Sequence, residues 1–151
     1  MQNKMKIYLD TSVISALFDE RNPERKILTE LFFNNIEDYE IYISNITVIE
    51  IENTPDLQLR NKMEELITNY KILIVNDDVE WLGNEYIKHG AIPESQPDDA
   101  YHIAVAVINE MEFLLSWNFK HMVKLKTKNI VKMINTLNKV RQIQIIPPGE
   151  L

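Results

Sequence analysis

The groups in this chain best placed to do chemistry are carboxylates. Asp98 and Asp99 in "SQPDDAYHIAVAVINEME" stand against an almost unbroken apolar run, with His102 three residues after the second acid. Asp10 closes the run "KIYLD", and Glu50 lies inside "SNITVIEIEN". Acids so placed serve one of two ends: they complement the positive end of a helix, or they hold a metal ion. Asp98 and Asp99 as dipole partners would contribute roughly 0.3–1 kcal/mol each. Glu50 alone reads as a solvated helix residue, His102 as a partly buried histidine bonded to backbone, and Trp117 as a packing residue. Asp10 resists the plain reading, because a carboxylate that ends a buried strand needs compensation for its lost hydration.

The elements that position these groups follow from pattern. "KIYLD" (6–10), "YEIYIS" (39–44), "KILIV" (71–75), "FLLS" (113–116) and "IQII" (143–146) are short β-branched or aromatic runs and read as strands. Between them lie helical patterns. Pro23 opens "PERKILTELFFNNI" as a first-turn proline, with Leu28, Leu31, Phe32 and Ile36 at helical spacing. "PDLQLRNKMEELITNY" places Leu59, Met63, Leu66 and Ile67 on one stripe, "DDVEWLGNEYIKHG" has acids in its first turn and Gly90 as its stop, and "KNIVKMINTLNKV" supplies a late helix. Ser44 or Asn45 caps a short helix carrying Glu50. Strands alternating with helices predict the α/β class, a parallel sheet covered on both faces.

In such sheets ligands bind beyond the carboxyl ends of the strands, where helix N-termini also point. Asp10 ends the first strand, Ser116, Trp117 and Asn118 follow the fourth, and Asp98 and Asp99 begin the helix before it. Acids far apart in sequence are therefore expected at one edge of the sheet.

Composition bounds the rest. At 151 residues, 45% hydrophobic and 26% charged, the chain is expected to form one globular domain spanning residues 1–151, without repeat or Gly/Ser-rich linker. Cysteine is absent, which excludes disulfides, thiolate metal sites and a cysteine nucleophile. The first residues lack the apolar stretch of a signal peptide, and the longest wholly apolar run, residues 103–108, is too short to span a bilayer. A cytoplasmic protein with no membrane partner is expected. The net charge of −7 removes any argument for nucleic-acid binding from bulk charge, although a nuclease whose acids hold metal can be acidic overall.

Taken together, "IYLDTSVI", "SNITVIEIEN", "PDDAYHIAVA" and "LLSWNFKHM" resemble, in order and spacing, the motifs of the PIN-domain family over nearly the whole chain. The resemblance implies a Rossmann-like three-layer α/β/α sandwich with a central parallel five-stranded sheet, and an acid cluster that binds Mg²⁺ or Mn²⁺. It implies that Asp10, Glu50 and Asp99 are metal ligands and catalytic, with Thr11 and Ser12 as the hydroxyl pair beside the first acid and Asp98 as a neighbour that assists or faces solvent. Asn118, after Ser116 and Trp117, stands where many members have a fourth acid. His102, one helical turn after Asp99, lies near the same face and is expected to support the cluster from behind, as is Ser116. Mg²⁺ takes a few carboxylate oxygens at about 2.0–2.1 Å, and acids without cysteine argue against zinc.

The implied activity is metal-dependent hydrolysis of RNA phosphodiesters, and small members of the family are commonly the toxins of VapBC-type toxin–antitoxin pairs. The implied partners are an RNA substrate, a small antitoxin protein and a second copy of the chain; the apolar-rich "ILTELFF" and "MEELITNY" offer surface for a two-fold dimer. Two rivals stand beside this reading. A haloacid-dehalogenase-type phosphatase also begins with a strand-end Asp but needs a second Asp two residues on, where this chain has Ser12. A catalytically weak or inactive PIN-like domain that binds RNA or a protein without cutting fits the acidic balance and Asn118.

Overall fold

The computed structural model describes residues 3–151. Its strands are β1 (Met5–Leu9), β2 (Tyr39–Ser44), β3 (Lys71–Leu73), β4 (Phe113–Leu115) and β5 (Gln144–Ile146), hydrogen-bonded in the order β3-β2-β1-β4-β5. Every pairing is parallel. Parallel neighbours cannot be joined by a tight turn, so each connection crosses over through helix. The first crossover holds α1 (Thr11–Ala16) and α2 (Pro23–Asn34), and the second α3 (Asn45–Glu52) and α4 (Leu57–Leu66). The third holds α5 (Asp77–Lys88) and α6 (Pro97–Ile108), and the last α7 (Leu125–Leu137).

Alternation along the strands divides the core into two. Tyr8, Tyr42, Leu114 and Ile145 pack on one face with buried residues of α5, α6 and α7. Ile7, Leu9, Ile41, Ile43 and Leu115 pack on the other with Val13, Phe32, Ile51 and Met63 from α1 to α4. This is the three-layer α/β/α sandwich expected from the sequence. The strand order runs outward from β1 through β2 to β3, then returns to place β4 on the other side of β1. The crevice at that reversal, between the carboxyl ends of β1 and β4, is where an open parallel sheet receives a ligand.

Local differences from the sequence reading have plain causes. The third strand stops at Leu73 rather than residue 75, because it lies at the sheet edge and pairs only with Tyr42, Ile43 and Ser44. Helix α7 starts at Leu125, before the "KNIV" run. Helix α1 is absent from the sequence reading: six residues are too few to show a period, and it is the Asp10 side chain, accepting from Ser12 N–H at 3.0 Å, that begins it. Gly90 does end α5, at φ +82°; its N–H bonds the carbonyl of Ile87 and that of Ala91 bonds Tyr86, closing the helix through a left-handed residue.

Helix α6, which carries Asp98 and Asp99, is fixed laterally by α5. Gly83 allows the approach: a Cβ there would stand 2.4 Å from Cδ1 of Tyr101. Gly83→Ala would raise helix propensity by up to about 1 kcal/mol, but the collision costs about 1–3 kcal/mol. A net loss of stability is expected in urea unfolding, relieved in the double variant Gly83→Ala/Tyr101→Ala; a more stable Gly83→Ala protein would show that Tyr101 yields freely.

Candidate active site at the carboxyl edge of the sheet

Asp10 is 4% exposed, and three donors reach its carboxylate. Oδ1 accepts from the N–H of Ser12 at 3.0 Å and from its hydroxyl, and Oδ2 accepts from the Ser116 hydroxyl at 2.7 Å. The Asp10 N–H itself bonds the carbonyl of Leu115 at 3.2 Å, locking the end of β1 to the end of β4. The Ser12 hydroxyl accepts from Trp117 N–H at 2.9 Å, and that of Ser116 from Asn118 N–H at 2.9 Å. Two serines thus hold the acid and the loop after β4 together.

Glu50 comes from α3, which Ser44 caps through a capping box with Thr47. Its Oε1 accepts from the Thr11 hydroxyl at 2.8 Å and meets His102 Nε2 at 2.6 Å. His102 is buried, and its Nδ1 meets the hydroxyl of Tyr8, which in turn meets that of Ser44 at 2.8 Å. A buried chain of side chains therefore runs from Ser44 through Tyr8 and His102 to Glu50. His102 hydrogen-bonds Glu50 and not Asp99, although it shares a helix with Asp99.

Asp99 lies in the first turn of α6 and is half-buried, whereas Asp98 is exposed. Asn118 Nδ2 donates to Asp99 Oδ2 at 3.2 Å, while Asn118 Oδ1 accepts from His121 N–H at 2.9 Å. The second bond decides the amide's orientation, since the reverse would set an NH₂ against a backbone N–H. At this position the chain offers Asp99 a donor.

Electrostatics join these groups. Burial raises the Asp10 carboxyl above its ordinary value, against the pull of His102 and the hydroxyls of Ser12 and Ser116, and Glu50 pushes it further up. Burial also raises Asp99; His102, His121 and Asn118 oppose this, and the Asp10 charge adds to it. For Glu50 burial is outweighed by the hydrogen bond and charge of His102 and by Thr11, and its carboxyl lies low. Burial draws His102 down, but the Tyr8 oxygen and the carboxylates of Glu50 and Asp10 outweigh it and hold it well above the usual histidine range. Protonated, the imidazole donates from both nitrogens, to Glu50 and to Tyr8.

His121 was not among the residues expected from the sequence. Its Nδ1 is buried without a hydrogen-bond partner among the described residues, and its charge lowers Asp99. Its place three residues after Asn118 was the available signal. Trp117, expected as packing, is 8% exposed and donates from Nε1 to Thr29 Oγ1 at 2.9 Å, pinning α2 to the loop.

Among the described residues no group of three or more His, Asp or Glu side chains is gathered closely enough to hold one ion. The donor set nonetheless suits Mg²⁺ or Mn²⁺. Asp10 and Asp99 are hard oxygen donors that repel each other, and such ions are often held by one or two carboxylates with retained waters. Glu50, occupied by His102 and Thr11, joins them at one remove.

The PIN domain family profile matches residues 7–118, a span that holds Asp10, Glu50, Asp99 and Asn118. The chain belongs to the PIN-domain family. Its fold is similar to that of VapBC2 from Rickettsia felis bound to a DNA fragment from their promoter, with a TM-score of 0.58 at 13% identity over 93% of this chain and 97% of that one. It is also similar to VapBC-1 from nontypeable Haemophilus influenzae, with a TM-score of 0.55 at 19% identity over 93% and 98%. Comparison with curated protein sequences finds no match. No helix among the described residues is long and apolar enough to cross a membrane.

The raised carboxyls of Asp10 and Asp99 carry a pH signature. A group raised on folding stabilises the fold below its unfolded value, here 3.8, and that stability is lost as pH rises through the folded value. In chelator at neutral pH, Asp99→Asn should therefore melt above the wild type, by about 2–4 °C if the relief is near 1 kcal/mol. The gap should close as pH falls toward the ordinary carboxyl range. Equal melting temperatures at both pH values would show that the two acids do not burden the fold.

Proposed function

We propose that this chain is a metal-dependent endoribonuclease that hydrolyses RNA phosphodiesters with Mg²⁺ or Mn²⁺, acting as the toxin of a toxin–antitoxin pair. The observation that carries the reading is the buried Asp10 carboxylate, held by Ser12 and Ser116 in a family-matched crevice within electrostatic reach of Asp99 and Glu50. A buried like-charged pair is costly in a protein with nothing to bind there, and a hard cation removes that cost.

Asp10 and Asp99 are the residues to hold the ion, with Glu50 as the third acid. An ion bound there would supply an acidified water and a Lewis acid for a phosphoryl oxygen. The protein's own part is positional. Ser12 and Ser116 fix both oxygens of Asp10, so its carboxylate needs no reorganisation when charge arrives. Thr11 and His102 hold Glu50 through Oε1 and leave Oε2 without a hydrogen-bond partner among the described residues, so the ionised carboxylate is oriented to hold an ion or one of its waters. His121 acts on Asp99 through charge, lowering its carboxyl from a position three residues after Asn118.

The solved relatives are named as VapBC assemblies, which supports a small antitoxin as the protein partner. A second copy of the chain is proposed as well: Ile27 and Leu31 on α2 are 58% and 54% exposed, apolar surface of the kind a two-fold interface covers. One observation favours the second reading, a weak or inactive domain that binds without cutting. The Asn118 amide gives Asp99 a hydrogen bond where an acid would add charge, which lowers the demand for a cation.

Two measurements decide between them. Wild-type protein with Mn²⁺ or Mg²⁺ should cut single-stranded RNA roughly a hundredfold or more faster than Asp99→Asn, and chelator should abolish the difference. Equal background cleavage by the two proteins would leave only the binding role. In calorimetry Asn118→Asp should bind Mn²⁺ more tightly than wild type, yet melt lower in chelator, because a carboxylate replaces the amide donor beside Asp99. Unchanged metal affinity would place residue 118 outside the ion's reach.

A further inference from the structure

Beside the acid cluster lies a second recess that the hydrolytic chemistry leaves unused. It has a volume of about 240 Å³ and is lined by Ser12, Ser15, Asn22, Arg25, Trp117 and Asn118 among others. Ser12 and Asn118 belong to both places: one side of each holds an acid, the other forms the recess. The volume is below the roughly 300–1,000 Å³ of pockets that enclose a drug-sized ligand and suits a single ring system.

Arg25 dominates its rim. The guanidinium carbon stands 5.4 Å from the ring centre of Trp117 and 5.5 Å from that of Phe119. No carboxylate partners it among the described residues; Asp19, also at the recess, is taken by Arg21 at 3.0 Å, and Glu20 by Lys26. The Trp117 ring is fixed by its bond to Thr29, whose hydroxyl donates to the carbonyl of Arg25 at 2.6 Å, so the guanidinium and the ring are mounted on one hydrogen-bonded strut. Phe119 differs from Trp117 in being 44% exposed, an aromatic ring open to solvent that packs against Trp117 at 6.1 Å between ring centres.

Charge along the chain points the same way. From Phe113 to Gly149 there are seven Lys and Arg and no Asp or Glu, although the whole chain carries −7. Lys120 and Lys124 sit in the loop that leaves β4, and Lys126 in the first turn of α7, and none of the three is ion-paired among the described residues. Unpaired cations beside an exposed aromatic ring match a polyanion whose rings can be splayed out.

We propose that this recess and the Phe119 ring at its rim, which touches its lining residues Arg25 and Trp117, form a nucleotide subsite for single-stranded RNA: the base flanking the scissile phosphate stacks on Phe119, its phosphate is bound by Arg25, and the strand continues over Lys120 and Lys124. The subsite rests on the ribonuclease reading for its place beside the crevice, but its test does not depend on cleavage. It also specifies the substrate, since a paired base is unavailable for stacking and only an unpaired strand fits.

The experiment measures fluorescence anisotropy of a short labelled single-stranded RNA of mixed sequence, with protein carrying Asp99→Asn to prevent cutting. Adding Phe119→Ala should weaken binding roughly tenfold, as loss of one base–aromatic stack does, and Phe119→Tyr should restore it. Adding Arg25→Gln should flatten the slope of log affinity against log salt by about 0.7, the signature of one lost phosphate contact on a single strand. Phe119→Ala should not alter binding of a duplex of the same sequence. Arg25 and Phe119 are at the surface, so thermal melting should show all variants folded. Unchanged single-strand affinity and salt slope in both variants overturn the subsite. An equal loss for single strand and duplex overturns the stacking. If these variants behave as expected while wild type and Asp99→Asn cleave alike, the nuclease reading fails and the subsite stands.

Discussion

Everything at this site depends on burying one carboxyl group inside the protein. Asp10 follows the central strand with 4% of its surface exposed, and a buried charge without partners is destabilising by several kcal/mol. The chain answers with donors from two separate segments. Ser12 is two residues on, and Ser116 is supplied by the neighbouring strand β4. The same bonds begin helix α1, tie β1 to β4 and hold the loop that bears Trp117 and Asn118. The carboxylate is thus both a functional group and the knot around which the crevice is assembled.

The three acids are treated differently, and the difference divides their labour. Asp10 is held by neutral hydroxyls and raised by burial, Asp99 is half-buried with an amide donor, and Glu50 is hydrogen-bonded to the buried imidazole of His102. Through Tyr8 and Ser44 that histidine is anchored to the sheet and to the cap of α3, so the position of Glu50 is set by the core and not by the surface. In the proposed site an ion would meet two acids held only by neutral donors, and a third already oriented.

Around the acids the protein arranges the opposite charge. A polyanionic substrate would be repelled by an acidic molecule at long range, but of the seven cations between Phe113 and Gly149, Lys120 and Lys124 lie on the loop that follows β4 and Lys126 in the first turn of α7. Steering of this kind depends on local potential rather than net charge. Net charge alone makes no case for nucleic-acid binding, and the proposed subsite rests instead on where individual cations lie.

Much of this was legible in the sequence. Alternating short strands and amphipathic helices required a parallel sheet, and that sheet required its ligands at the carboxyl edge, so Asp10, Glu50, Asp99 and Asn118 could be assigned to one region from pattern and family resemblance. Spacing along a chain, however, says which helix face a residue occupies and not which neighbour meets that face. Hence His102 was placed with Asp99 by its helical turn, whereas packing of α6 against α3 and β1 delivers it to Glu50. The orientation of Asn118 depends on one backbone N–H three residues away, and helix α1 on a side-chain bond, neither of which leaves a periodic trace. Arg25 and Phe119 are ninety-four residues apart. Only the tertiary structure could set a guanidinium over two rings beside the acids, because that contact is made by α2 packing on the loop after β4.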